Sequence, residues 1–306
     1  VHADTASYLL RQPQWIDAAL APYADGRDLA AGQTRVWLAG LGGGFWSQGR
    51  SGISPSTEHS AGTIIGATLR PSEQASAYLG LGTTAGTVES AAATATVNTV
   101  LATLGGRYGF TSLETGPYVL ARVDGGWVDS QTSRPLGGNL GTATGRVNGS
   151  VFSGLAGFGD VLRFDPVTIT PQLGFRVTNQ TLGGFSESGS EVALDVHGQS
   201  NTTTSLLADL NLSLDQRQLG TWTIAPAVSL GYERLLGNPQ IESTATRYGV
   251  AVSQKSAFDS CDLLKAGLGL TARHDALVIE ARANAIAGNG SGSAGLSGQL
   301  SVGYRF

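Results

Sequence analysis

Gly295-Leu-Ser-Gly-Gln-Leu-Ser-Val-Gly-Tyr-Arg-Phe306 closes the chain and decides how the rest is read. Leu296, Leu300, Val302, Tyr304 and Phe306 share one parity; Ser297, Gln299, Ser301, Gly303 and Arg305 share the other. Successive side chains of a strand point to opposite faces, so this is a strand with one apolar and one polar face. One such strand fits any half-buried sheet. The same alternation recurs upstream, and the last residue is an aromatic.

Working outward from it, Leu277, Ile279, Ala281 and Ala283 oppose Glu280, Arg282 and Asn284. Leu264, Ala266, Leu268, Leu270 and Ala272 oppose Lys265, Gly267, Gly269, Thr271 and Arg273. Ile224, Pro226, Val228 and Leu230 oppose Thr223, Ala225, Ser229 and Glu233, and Leu206, Ala208, Leu210, Leu212 and Leu214 oppose Asp209, Asn211, Ser213 and Asp215. Continued to Thr34, the pattern predicts about twelve strands: 34–48, 58–70, 73–90, 93–110, 113–132, 145–164, 166–180, 203–217, 220–236, 260–275, 276–288 and 293–306. Around 40, 118 and 154 both faces are mixed, which a bulge would explain. The links near 71–72, 111–112, 165, 217–219 and 275 are short. Those at 49–57, 133–144, 181–202, 237–259 and 289–292 are mostly longer and rich in Gly, Ser, Thr and Asn. Short turns at one rim and long loops at the other characterise outer-membrane barrels, with the short turns in the periplasm.

Composition agrees with a barrel. Charged residues make up 14% of the 306 positions, against about 25% in soluble domains. No run approaches the ~18 apolar residues of a spanning helix, so a membrane protein of this sequence must be a closed barrel. Trp222 and Tyr232 share a parity ten residues apart, about 33 Å along a strand. A tilt of about 40° reduces this to about 25 Å, the spacing of two aromatic girdles. Between them Ile224, Pro226, Val228 and Leu230 present no charge. The net charge of −4 gives no reason to expect nucleic acid, and a lone Cys261 excludes an internal disulfide and paired thiolate zinc ligands. No export signal opens the chain, and it lacks Met altogether, so it reads as a processed piece of something longer.

Residues 1–33 differ from the rest. Tyr8, Leu9, Leu10, Trp15, Ile16, Ala19 and Leu20 recur at roughly helical spacing, which predicts a helix within 4–21 followed by a linker. Pro13 suits the first turn of a helix, while Gly26 and Gly32 oppose its continuation. The domain reading is a helix and linker over 1–33 and a barrel over 34–306. From this segment alone, a helix packed on a domain surface fits as well as any other placement.

Several stretches together resemble the translocator (β) domain of monomeric autotransporters, the type V secretion proteins of Gram-negative bacteria. They are Val36-Trp-Leu-Ala-Gly40, Leu104-Gly-Gly-Arg-Tyr-Gly109, Thr170-Pro-Gln-Leu173, Phe185-Ser-Glu-Ser-Gly189 and the terminal Gly303-Tyr-Arg-Phe306. The resemblance covers about residues 34–306 and, loosely, the helix before them. It implies an all-β, transmembrane antiparallel barrel of twelve strands with the N-terminal α-helix threaded through the lumen. It implies an outer-membrane protein that carries or anchors an upstream passenger at the cell surface. Its implied partners are outer-membrane lipid, that passenger, and the barrel assembly machinery, which would recognise Tyr304 and Phe306; the expected state is a monomer. The Asn-Asn pair at which some members cut themselves is absent, so no self-cleavage site carries over.

Parity places Arg107, Arg176, Arg273, Arg282 and Arg305 on the lumen face with Asp209, Asp215, Glu233 and Glu280. The functional expectation is a hydrated, charge-laced pore that touches the helix and passes an unfolded chain. The plainer one is a solvated strand face whose ion pairs contribute about 0–1 kcal/mol each. His2, His59, His197 and His274 show no metal-ligand spacing, and His59 and Ser60 would point to opposite faces of a strand. No G-x-S-x-G elbow occurs, so neither an enzyme, a metal nor a cofactor is expected. Gly42-Gly43-Gly44 lacks the Lys-Ser/Thr of a phosphate loop and instead lets a helix or strand come close. An outer-membrane porin or barrel enzyme without a passenger is the alternative, and a secreted β-solenoid is disfavoured by the absence of a fixed repeat.

Overall fold

The computed structural model describes residues 1–21, 23, 26–290 and 292–306. Linker positions 22, 24 and 25 and loop position 291 lie outside the described residues. A helix, α1 (His2–Leu20), precedes twelve long strands. These are β1 (Thr34–Ser47), β2 (Ser56–Leu69), β3 (Ala75–Ser90), β4 (Ala93–Gly109), β5 (Gly116–Pro135) and β6 (Thr142–Phe164). They continue with β7 (Val167–Leu182), β8 (Gln199–Leu214), β9 (Trp222–Leu236), β10 (Asp262–His274), β11 (Leu277–Gly288) and β12 (Ala294–Arg305). Each pairs antiparallel with its sequence neighbours, and β1 pairs with β12 from Arg35↔Arg305 to Trp46↔Ala294. The Phe306 amide donates to the Thr34 carbonyl at 2.8 Å and completes the closure. The product is a closed twelve-stranded barrel with no free edge.

The outward parity is apolar and exposed: Ile65 56%, Leu81 59%, Leu173 63%, Leu268 65% and Leu300 60%. A belt of this kind in water would be an aggregation surface; in lipid it is the solvated face. Trp222 and Tyr232 share this face as their spacing implied, and Tyr304 and Phe306 end it with rings 5.0 Å apart. No described helix is long and apolar enough to cross a membrane.

Three expectations change. First, the mixed faces near 40, 118 and 154 do not come from bulges. The registers of β1 with β2 and of β5 with β6 run unbroken, from Thr34↔Leu69 to Ser47↔Ser56 and from Gly116↔Val161 to Pro135↔Thr142. In β1 both faces are apolar because Trp37, Ala39, Leu41 and Phe45 point inward and are buried. Second, Pro13 lies inside α1, not at its first turn. An interior proline costs about 3 kcal/mol relative to alanine. The helix tolerates it because it is enclosed rather than standing alone. Third, the long links read at 181–202 and 237–259 contain a four-stranded sheet formed by Phe185–Ser186, Asp195–Val196, Glu242–Arg247 and Val250–Lys255. Tyr248 (φ 49°) and Gly249 (φ 77°) make the two-residue turn of its hairpin, a pairing of positive φ values that suits strand twist.

Candidate functional site: the plugged lumen

The helix runs from the long-loop rim at Val1 to the short-turn rim at Leu20, and it is buried almost all round. His2, Asp4, Thr5, Ser7, Arg11 and Gln12 are enclosed along with its apolar residues. In the outer half, Val1, Ala6, Tyr8, Leu9 and Leu10 pack on Val88, Ala95, Val97, Val128, Val147 and Val151. Several of the buried polar side chains there bond to the wall, as burial favours. Tyr8 donates to Ser60 Oγ at 3.1 Å and Gln12 to Thr84 Oγ1 at 2.7 Å. Arg11 pairs with Glu58 and lies over the rings of Phe45 (4.7 Å) and Phe258 (4.2 Å). Asp4 accepts from the Ala257 amide at 2.8 Å, which ties the first turn to the loop between β9 and β10.

Glu187, in the loop after β7, holds the helix start. It meets His2 Nε2 at 3.1 Å, Arg134 Nη2 at 2.5 Å and the Leu194 amide at 3.0 Å. Burial pushes its carboxyl upward, but the hydrogen bonds from His2, Arg134 and Leu194 outweigh burial and hold it at about 2.

In the periplasmic half only one flank of the helix is packed on apolar wall. Ile16, Ala19, Leu20 and Tyr23 meet Trp37, Ala39, Leu41, Ile64, Tyr78 and Leu101. Tyr23 stacks on Trp37 at 4.5 Å, and Trp37 Nε1 donates to Thr68 Oγ1 at 3.0 Å. Gly43 does what the glycine run implied: a Cβ there would lie 2.2 Å from the Trp15 ring. Gln299 donates to the Ala19 carbonyl at 2.9 Å. The other flank faces a cavity of about 490 Å³ that reaches the short-turn rim at Asp215 and Gln216.

Of the residues expected in the lumen, Arg176 touches the helix through Asp17 and also reaches Glu233 at 3.2 Å. Glu233 accepts from Gln14 at 3.4 Å and from Lys265 at 2.5 Å. Arg273 and Arg305 approach the linker at Asp28, at 3.8 Å from its carboxylate and 3.3 Å from its carbonyl. Arg282 pairs with Glu280 at 2.6 Å on the wall, Asp209 lines the cavity, and Arg107 lies over the Tyr118 ring at 3.3 Å. Sequence reasoning missed Asp17, Arg122 and Asp124, which form the densest charge contact between helix and wall. Arg122 pairs with Asp17 and, at 2.9 Å, with Asp124. The inward parity of Arg122 and Asp124 was readable, but they sit in the strand whose faces looked mixed. His59 points outward and Ser60 inward, so they form no dyad. Among the described residues no cluster of His, Cys, Asp and Glu has metal-site geometry.

The chain is similar to the translocator domain of the autotransporter NalP from Neisseria meningitidis, with 22% identity, coverage of 99% of this chain and 97% of that one, and a TM-score of 0.79. It is similar to the transport unit of AIDA-I from Escherichia coli, with 15% identity, coverage of 99% of both chains and a TM-score of 0.61. The β domain of the Bordetella autotransporter BrkA matches with 17% identity, over 89% of this chain and 99% of that one, at a TM-score of 0.61. These likenesses establish the fold. No curated protein sequence matches. The family model described as the autotransporter beta-domain matches residues 36–284. The chain therefore belongs to the autotransporter β-domain family, the outer-membrane translocators of Gram-negative bacteria.

Proposed function

We propose that this barrel carries a passenger joined ahead of Val1 to the cell surface and then anchors it there, with α1 as the closing plug. The path of the helix carries this reading. It starts at the long-loop rim and ends at the short-turn rim beside β1, so a polypeptide joined to Val1 emerges on the outer side. The charged wall of Arg107, Arg176, Asp209, Glu233, Arg273, Glu280, Arg282 and Arg305 keeps the lumen wet for a passing chain. Tyr304 and Phe306 act as the mark read by the barrel assembly machinery, and the translocator works as a monomer. The porin reading is less favoured because the outer half of the lumen is filled by protein. No catalytic role is assigned. The test is a protease-sensitive reporter fused ahead of Val1 behind an export signal. Surface protease should remove it from intact cells while the barrel stays folded in the membrane. A reporter left in the periplasm beside a correctly inserted barrel overturns the proposal.

A further inference from the structure

Asp17 joins helix and wall by charge at the edge of the cavity. Its two oxygens go to different strands: Oδ1 to Arg122 on β5 and Oδ2 to Arg176 on β7. Two guanidinium groups converging on one carboxylate form a fork suited to an oxyanion. Both arginines are nine-tenths or more buried, at 6% and 3% exposure. The carboxylates their own wall supplies, Asp124 at 2.9 Å and Glu233 at 3.2 Å, sit to either side of the fork, and Lys265 shares Glu233. The carboxylate between them comes from the helix. The surroundings are cationic as well. Nine Lys and Arg and six Asp and Glu line the cavity among the described residues, although the chain as a whole carries −4.

We propose that Arg122 and Arg176 form an oxyanion site of the barrel wall. It takes carboxylate side chains of polypeptide while α1 is out of the lumen, and Asp17 fills it when the helix docks. The binding of side chains in transit rests on the exporter reading; the site itself does not. Two buried cations without their shared counter-charge are unfavourable, so an empty site favours any small anion able to reach it. The cavity supplies the route, since it runs from Asp17 to the short-turn rim. Asp17 displaces acidic side chains in transit because it is tethered to the barrel and meets the site at high effective concentration.

The experiment uses the full chain in detergent micelles and compares the parent, Asp17→Ala, and Asp17→Ala combined with Arg122→Gln and Arg176→Gln. Each is titrated with sodium formate and, separately, inorganic phosphate at constant ionic strength. Asp17→Ala should show a saturable rise in Tm of about 2–4 °C. The parent, whose site is filled, and the triple variant, whose site is gone, should not respond. No rise in Asp17→Ala, or an equal rise in the parent or the triple variant, overturns the site. If Asp17→Ala does not refold in plain buffer, refolding of it or of Asp17→Ser only with formate or phosphate present supports the proposal. Failure of both with and without the anions counts against it. No passenger is involved, so failure of the exporter reading would leave this titration unchanged.

Discussion

In the outer half of the lumen the helix is surrounded: valines from β3 to β6 meet Tyr8, Leu9 and Leu10, and Tyr8 and Gln12 hydrogen-bond to the wall. In the periplasmic half one flank packs on Trp37 and Ile64, while the other meets arginines and carboxylates beside an open cavity. The difference is one of task. Apolar packing seals only where shapes fit on all sides, because a gap forfeits contact energy. Charge pairs beside water can part and reform without a dry surface being exposed. The outer half is thus built as the stopper and the periplasmic half as a one-sided grip next to a vestibule.

The sharpest way to break this comparison is to remove the stopper and keep the grip. A chain lacking residues 1–12 retains Trp15, Ile16, Asp17 and Ala19 on the wall, yet its cavity should connect to the outer side. Single-channel conductance in planar bilayers should rise many-fold over the intact chain. Unchanged conductance would mean that the seal lies elsewhere, in the loop sheet or the periplasmic half.

The apolar flank of the grip comes next. Trp37→Ala removes the ring that stacks on Tyr23 and should cost about 3–5 kcal/mol, measured by denaturant-driven unfolding in micelles. Leu9→Ala in the stopper should cost about 2–5 kcal/mol. Similar losses are expected because both sites are fully buried. A Trp37→Ala cost under about 1 kcal/mol would show that the periplasmic half is held by charge alone.

A third test is acid. The folded pKa of Glu187, about 2, lies below the ordinary carboxylate value near 4.3. A depressed carboxylate contributes stability that is fully present above its unfolded pKa and is lost as pH falls through the folded one. The outer clamp on His2 and Arg134 should therefore weaken between about pH 4.3 and pH 2. Glu187→Gln should be less stable at pH 7 and should flatten this part of the curve. An identical acid slope in the variant would remove the clamp from the account.

How much of this was legible follows from what each surface must satisfy. The outward parity of β8 to β12 was readable because lipid requires an apolar face along the whole span, and Leu264, Leu268 and Leu300 supply it. The inner face was readable only where it meets water, as at Lys265, Arg273 and Glu280. Where it meets the helix, Trp37, Leu41 and Phe45 repeat the chemistry of the lipid face, and alternation vanishes without any change of register. Pro13 was misplaced because helix propensity describes an isolated helix, and this one is enclosed. The hairpin over 242–255 was missed because Val250 and Val252 are exposed rather than alternately hidden. Its one local signal was Tyr248-Gly249 between runs of Ser, Thr, Ala and Val.

The smallest effects separate the halves most finely, because they compare one nearly isosteric polar change in each. Thr84→Val in the outer half takes away the acceptor 2.7 Å from Gln12 Nε2. Gln12 is 1% exposed, so water cannot replace the lost bond, and a buried donor left unmatched costs about 1–3 kcal/mol. Asp209→Asn in the periplasmic half changes a half-buried carboxylate that lines the cavity. Water there can solvate either side chain, and a surface-like substitution of this kind falls within about 0.5 kcal/mol. The two variants should therefore separate by at least about 0.5 kcal/mol in the same unfolding titration, with Thr84→Val the weaker protein. Equal costs would mean either that water reaches Gln12, so that the outer half is no seal, or that the Asp209 wall is dry, so that the vestibule is closed. Solvent exchange at the Gln12 side-chain amide, followed by NMR in micelles, decides between these: slow exchange keeps the seal and places the error at the vestibule.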